Sequence, residues 1–108
     1  MSLINKQNIT LTADQPKKVL LPIIVFVDAL TFHFEFSRKQ TQPKEKKVLV
    51  EAKNVFDTLI AKPLLIINTH KQNVFNLRPD KKGVTLGCSY IVLTANCNTL
   101  VSLTVLQG

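Results

Sequence analysis

Seven residues decide the fold class of this chain: Leu30-Thr31-Phe32-His33-Phe34-Glu35-Phe36. Apolar and polar residues alternate along the whole stretch. Because successive side chains of a β-strand point to opposite faces, the leucine and the three phenylalanines would share one face. We therefore predict a central strand whose apolar face lies in the core. The opposite face, formed by Thr31, His33 and Glu35, is expected to be ordinary surface.

A second alternating stretch follows at Lys47–Lys53, where Val48, Val50 and Ala52 would share one face. A long hairpin that joins Leu30–Phe36 to Lys47–Lys53 is the simplest topology for these two strands.

The N-terminal third predicts two strands with a turn between them. Asn8–Thr12 fits a short edge strand, and Ala13–Pro16 has turn composition. Lys17–Val27 is apolar but contains Pro22, which cannot donate to a sheet ladder. We expect this strand to lie at an edge, to bulge, or to divide in two.

The stretch Ala52–Lys62 carries two conflicting signals. Its apolar residues recur at the spacing of an amphipathic helix, and Pro63 would end that helix. Valine, threonine and asparagine are weak helix formers, however, and a β-rich context can override a local pattern. A short helix and a strand both remain open here.

The C-terminal third reads as a hairpin around Cys97-Asn98, with Leu86, Cys88, Tyr90 and Val92 on the buried face of its first strand. This register pairs Val92 with Leu103 and Tyr90 with Val105. It also places Cys88 about 30 Å along the strand from Cys97, whereas a disulfide needs Cα atoms within about 7 Å. We expect two free thiols, which suits the reducing cytoplasm.

These patterns predict one all-β domain over residues 1–108, a β-sandwich of about seven strands and immunoglobulin-like in general form. A small closed β-barrel is the alternative. The length of 108 residues and an apolar content of 45% are enough for a core without metal or disulfide support.

The chain is strongly basic, with a formal net charge of +7 that comes mostly from lysine. A basic balance attracts phosphate groups, anionic lipid or acidic proteins. Lysine also keeps β-proteins soluble by protecting sheet edges. The apolar run before Asp28 is shorter than the roughly 20 residues that cross a bilayer, so no membrane association is expected.

No catalytic, cofactor or metal site is expected from the sequence. His33 and Glu35 would point the same way from one strand, as a metal or proton-transfer pair would, but solvent-facing strands often carry such residues without function. The cysteines lack zinc-site spacing, and the glycines form no phosphate-binding loop. We therefore predict that the protein is not an enzyme.

The loop at Ser37–Lys47 is the best sequence candidate for a binding site. Its basic residues could contact phosphates of a nucleic acid. They are Arg38, Lys39, Lys44, Lys46 and Lys47. A protein that binds single-stranded nucleic acid also needs exposed aromatic rings, and here the phenylalanines are predicted to lie in the core.

Three segments resemble, in their order and spacing, a family of small bacterial all-β domains of unknown function. These segments are Leu30–Phe36, Leu64–Asn68 and the Tyr90–Leu106 hairpin. The resemblance implies the fold and no chemistry.

Function is therefore predicted mainly by exclusion. A non-enzymatic binding or structural module that acts through protein–protein contact or self-association fits best, with sheet edges as a natural contact. Binding of a phosphate backbone by the basic loop is the alternative, and a small hydrolase is the third.

Overall fold

Eight β-strands account for the regular structure in a computed structural model that describes residues 2–27, 29–37, 45–70, 72–78 and 86–107. The strands are β1 (Ser2–Leu11), β2 (Lys17–Val27), β3 (Leu30–Phe36), β4 (Lys47–Lys53), β5 (Leu64–Ile67), β6 (Asn73–Leu77), β7 (Leu86–Ala95) and β8 (Thr99–Gln107). These residues contain no helix.

The strands form two antiparallel sheets of four. Sheet 1 has the order β1-β8-β3-β6, and sheet 2 has the order β2-β7-β4-β5. Among strands that follow one another in sequence, only β4 and β5 share a sheet. Every other connection passes from one sheet to the other. This order is that of a jelly roll, an eight-stranded double sheet wound as two Greek keys.

The predicted β-sandwich is confirmed, and the two open sheets exclude the closed barrel. The strand order differs from that of an immunoglobulin domain, in which the first two strands share a sheet. The difference arises because β1 pairs with β8 rather than with β2.

Two predicted hairpins are wrong because, in each case, the two strands lie in different sheets. β3 pairs with β6 and β8, whereas β4 pairs with β5 and β7, so these two strands do not form a hairpin. β7 pairs with β2 and β4, so Val92 does not meet Leu103 and Tyr90 does not meet Val105.

The predicted core face of β3 is confirmed. Leu30, Phe32 and Phe34 are buried, and Phe36 is half-buried at the end of the strand. Phe32 pairs with Phe75 on β6, and their ring centroids lie 6.0 Å apart. β3 is also a central strand, as expected, between β8 and β6.

Sheet 2 supplies the other half of the core. Val48, Val50 and Ala52 are fully buried, which confirms the predicted face of β4. On β7, Ile91, Leu93 and Ala95 lie in the core, so the predicted face is wrong from Val92 onward. Cys88 and Tyr90 are buried, as predicted, although Tyr90 lies outside the main core cluster. The register of β2 against β7 shifts between Leu20 and Val25, where a break was expected at Pro22, and β2 is an edge strand.

Asparagine side chains fix several of the connections. Asn96 Oδ1 accepts a hydrogen bond from the Lys47 backbone N–H at 2.9 Å, and Asn98 Oδ1 accepts one from Ala13 N–H at 2.9 Å. Asn73 both accepts from and donates to the backbone of Ile67, at 3.3 and 3.0 Å. These amides replace the ladder partners that the chain loses where it changes sheet. The predicted turn at Ala13–Pro16 is confirmed, with Asp14 at a φ of 59°.

Candidate functional site

The basic loop predicted from the sequence falls largely outside the described residues, which do not include Arg38, Lys39 or Lys44. Lys46 is only 5% exposed, and its backbone N–H donates to Asn68 Oδ1 at 2.9 Å. Lys47 is exposed, with its Nζ 3.8 Å from a Glu45 carboxylate oxygen. Of the two basic residues described, one is therefore buried and the other is partly neutralised.

A loop at Asn54–Leu59 replaces the helix considered for Ala52–Lys62, and that helix is absent. β4 runs through Lys53, which forms an antiparallel bridge with Leu59, and the Ile60 N–H donates to the Ala52 carbonyl at 3.1 Å. Both ends of the loop are therefore held in a narrow ladder. The helical spacing was misleading because Ala52 belongs to a strand.

Asn54 organises the inside of this loop. Its side-chain Oδ1 accepts hydrogen bonds from the backbone N–H groups of Phe56 at 2.9 Å and Thr58 at 3.1 Å. Its own N–H donates to the Thr58 carbonyl at 3.1 Å, and its carbonyl accepts from the Asp57 N–H at 3.1 Å. An asparagine that binds the backbone two residues onward is a common turn-forming device.

Asp57 fastens the loop to the outer face of sheet 2. Its backbone has a φ of 61°, which aspartate tolerates better than most residues, and its carboxylate accepts a hydrogen bond from the Tyr90 hydroxyl. This hydrogen bond, together with burial and the negative charge of Asp57, raises the pKa of Tyr90 to about 12. The Lys18 ammonium lies 4.1 Å from the centre of the Tyr90 ring. Tyr90 is therefore held between the loop and a lysine of the edge strand β2.

Three apolar side chains project from this fixed loop into solvent. Val55 is 54% exposed, Phe56 is 82% exposed and Leu59 is 44% exposed. We call these three residues the apolar tip. Leu20, which pairs with Tyr90 on the same sheet, is 65% exposed. The expectation that the phenylalanines belong to the core is wrong for Phe56.

Sequence reasoning missed the apolar tip because the helical spacing assigned Val55, Phe56 and Leu59 to a buried face. The available signal was the pair Asn54 and Asp57, since both residue types favour turns and disfavour a helix interior.

The outer face of sheet 1 is polar and carries a groove along β8. Ser102 and Thr104 have short side chains, and longer ones flank them from β1 and β3. Lys6 and His33 lie on either side of Thr104, and Asn8 and Glu35 lie on either side of Ser102. We call this feature the β8 groove. His33 and Glu35 are exposed, as expected, but they line a concave surface. The expectation of surface exposure is wrong for Thr31, which is buried and donates to Asn76 Oδ1 at 3.1 Å.

The two cysteines are free thiols in different environments. Burial raises the pKa of the Cys88 thiol to about 11. Its Sγ donates to the Tyr90 carbonyl at 3.7 Å. Cys97 is half-buried in the β7–β8 connection. A buried thiol with a raised pKa is a poor nucleophile, because the thiolate is the reactive form.

The described residues include no group of three or more histidine, cysteine or acidic side chains that could hold a metal ion. Within the same part of the chain, no helix is long and apolar enough to cross a membrane. A comparison with protein families, curated proteins and solved structures found no match.

Proposed function

We propose that this protein is a non-enzymatic binding module that contacts an acidic protein through the apolar tip. The observation that carries the proposal is that Phe56 is 82% exposed on a loop held by its own hydrogen bonds. The bond between Asp57 and Tyr90 fixes that loop to sheet 2.

Exposed apolar side chains are unremarkable when they are scattered, but a cluster that includes an aromatic ring is typical of a contact site. Val55 and Phe56 are neighbours in the chain, and Leu59 closes the same loop. Because Asn54 already orders the loop backbone, a partner would pay little conformational entropy to bind it. A rigid aromatic anchor of this kind is the usual centre of a protein–protein interface.

Charge favours an acidic partner over a second copy of the chain. Lys18 and Lys53 both flank Tyr90 in sheet 2, and the whole chain carries a formal net charge of +7. Two such chains repel each other, whereas an acidic surface is attracted and oriented by the same field.

A protein partner is favoured over a nucleic acid by the composition of the apolar tip. Phe56 could stack on a base, but its neighbours Val55 and Leu59 are aliphatic and have no π-face. Aliphatic side chains around an aromatic ring match an apolar pocket on a protein, with water excluded from the centre of the contact.

Photo-crosslinking from position 56 tests this proposal. A photoreactive phenylalanine analogue is placed at position 56 in the cells that produce the protein, and at position 3 on the opposite sheet as a control. We expect position 56 alone to trap one acidic protein. With both proteins purified, Phe56→Ala should weaken binding by about tenfold or more, as truncation of a hot-spot residue does.

The matched control is Leu3→Ala, which removes an apolar side chain of sheet 1 that is 62% exposed. It should leave the affinity unchanged. Crosslinking of the chain to itself, equal trapping from both positions, or retention on single-stranded DNA that is lost in Phe56→Ala would each overturn the proposal.

A further inference from the structure

The β8 groove combines two adjoining hollows on the outer face of sheet 1. One has a volume of about 340 Å³ and is lined by Lys6, His33, Glu35, Ser102 and Thr104, among others. The other has a volume of about 260 Å³ and shares Glu35 and Ser102 with the first. The groove therefore continues along β8 from Leu100 to Thr104, about 13 Å at the rise of a strand.

The shape follows from the strand order. β8 lies between β1 and β3, so its short Ser102 and Thr104 side chains form a floor between two higher walls. Lys6 rises from the β1 side, and His33 and Glu35 rise from the β3 side. Such a groove needs a small polar residue at alternate positions of the middle strand, which is what β8 provides.

The polar groups of the walls are available to a ligand. Within the described part of the chain, the side chains of Lys6, His33 and Glu35 have no hydrogen-bond or ion-pair partner. Ser102 donates to Asn8 Oδ1 at 2.6 Å, which leaves the Asn8 amide N–H groups free to donate. The groove thus offers donors on the β1 side and a carboxylate acceptor on the β3 side.

This pattern favours a neutral ligand rich in hydroxyl groups. The formal charges of Lys6 and Glu35 cancel, so the groove has little net attraction for an anion or a cation. An ammonium group only donates and a carboxylate only accepts, whereas each hydroxyl both donates and accepts. A molecule with several adjacent hydroxyls can satisfy both walls at once.

We propose that the β8 groove is a carbohydrate-binding site for a short, uncharged oligosaccharide. Lys6 and Asn8 donate to its hydroxyl oxygens, and Glu35 accepts from its hydroxyl protons. The site lies on the sheet opposite the apolar tip, so the two surfaces can be occupied independently.

NMR titration of the ¹⁵N-labelled protein tests this assignment. The probes are maltose, cellobiose, lactose and diacetylchitobiose, each added to the full chain, with inorganic phosphate as the anionic comparison. We expect at least one disaccharide to give saturable shifts that are confined to the backbone amides of Lys6, Asn8, His33, Glu35, Ser102 and Thr104. Glu35→Gln should weaken that binding by about tenfold, because a charge-assisted hydrogen bond is lost.

Two variants serve as controls. Glu51→Gln makes the same change on the outer face of sheet 2 and should leave sugar binding unchanged, as should Phe56→Ala. Saturable shifts with phosphate and none with a disaccharide would overturn the assignment, as would shifts outside the groove or no saturable shift with any probe. Since Phe56→Ala tests the apolar tip separately, failure of one proposal leaves the other standing.

Discussion

The ammonium group of Lys18 lies 4.1 Å from the centre of the Tyr90 ring, on the outer face of sheet 2. The hydroxyl at the far end of the same ring donates to Asp57 in the loop that carries the apolar tip. One side chain of β7 therefore connects the edge strand β2 with the loop after β4. Tyr90 is also the only tyrosine in a chain without tryptophan, so its optical signal reports this arrangement alone.

Alkaline titration should show a single tyrosine that ionises late. The hydrogen bond to Asp57 raises the pKa of Tyr90 from 10.0 to about 12. We expect tyrosinate absorbance in the folded protein to appear well above pH 10, and the Asp57→Asn variant to titrate nearer the ordinary value because an amide carries no charge. Asp14→Asn is the matched control, since Asp14 also has a positive φ but lies away from Tyr90. Equal titration curves for the wild type and Asp57→Asn would contradict the role of this bond.

Stability should fall at alkaline pH. Between pH 10 and about 12 the unfolded tyrosine loses its proton while the folded one retains it, so the free energy of the unfolded state falls relative to that of the folded state. Cys88 acts in the same direction between pH 9 and about 11, because burial raises the pKa of its thiol. Chemical denaturation at a series of pH values measures the effect. A midpoint that stays constant from pH 9 to pH 12 would disagree with both shifts.

The two thiols should react with very different rates. Cys97 is partly accessible, whereas Cys88 is fully buried and its pKa is raised to about 11. We expect a thiol reagent at neutral pH to modify one thiol rapidly in the folded protein and the second only after denaturation. The Cys97→Ser variant should lose the rapid phase, and Cys88→Ser should keep it.

The same substitution at two phenylalanines should have opposite consequences for stability. Phe32 is fully buried against Phe75, so Phe32→Ala should cost about 3–5 kcal/mol or prevent folding. Phe56 is 82% exposed, so Phe56→Ala should change the free energy of unfolding by less than about 0.5 kcal/mol. Urea denaturation compares the two variants. If Phe56→Ala proved strongly destabilising, Phe56 would pack against the protein and could not serve as an exposed anchor.

Asn96 should matter more for stability than its exposed position suggests. Its side chain accepts from the Lys47 N–H at 2.9 Å and donates to the Glu45 carbonyl at 3.2 Å. We expect Asn96→Ala to cost about 1–2 kcal/mol, since each net hydrogen bond contributes about 1 kcal/mol. Gln15→Ala, which removes an exposed amide side chain, should cost much less. Thermal unfolding of the two variants measures the difference.

Local alternation predicted which side chains face the core, because the pleat of a strand depends only on the strand itself. Leu30–Phe36 and Val48–Ala52 were assigned correctly on that basis. Part of β7 is assigned to the wrong face because its alternation is interrupted: Cys88 and Ile91 are both buried although they lie three residues apart. An irregularity of this kind depends on the partner strand β2, whose own register shifts beside it.

Strand pairing could not be predicted by assuming that neighbours in sequence pair with each other. That assumption fails wherever the chain changes sheet, and here it holds only for β4 and β5. Nor could alternation reveal the apolar tip, because Phe56 is exposed through turn hydrogen bonds to Asn54 rather than through a strand or helix period. The β8 groove likewise needed the knowledge that β1 and β3 flank Ser102 and Thr104.

The place of β8 in the middle of sheet 1 also has a consequence for how the protein is made. A ribosome delivers β1 and β3 long before β8, and those two strands cannot join the same sheet until β8 arrives between them. Through most of synthesis, β1 therefore presents unpaired backbone groups to the cell. Chaperones that hold exposed strands would have their main opportunity on this chain during that interval, and a ribosome pause just before Thr99 would prolong it.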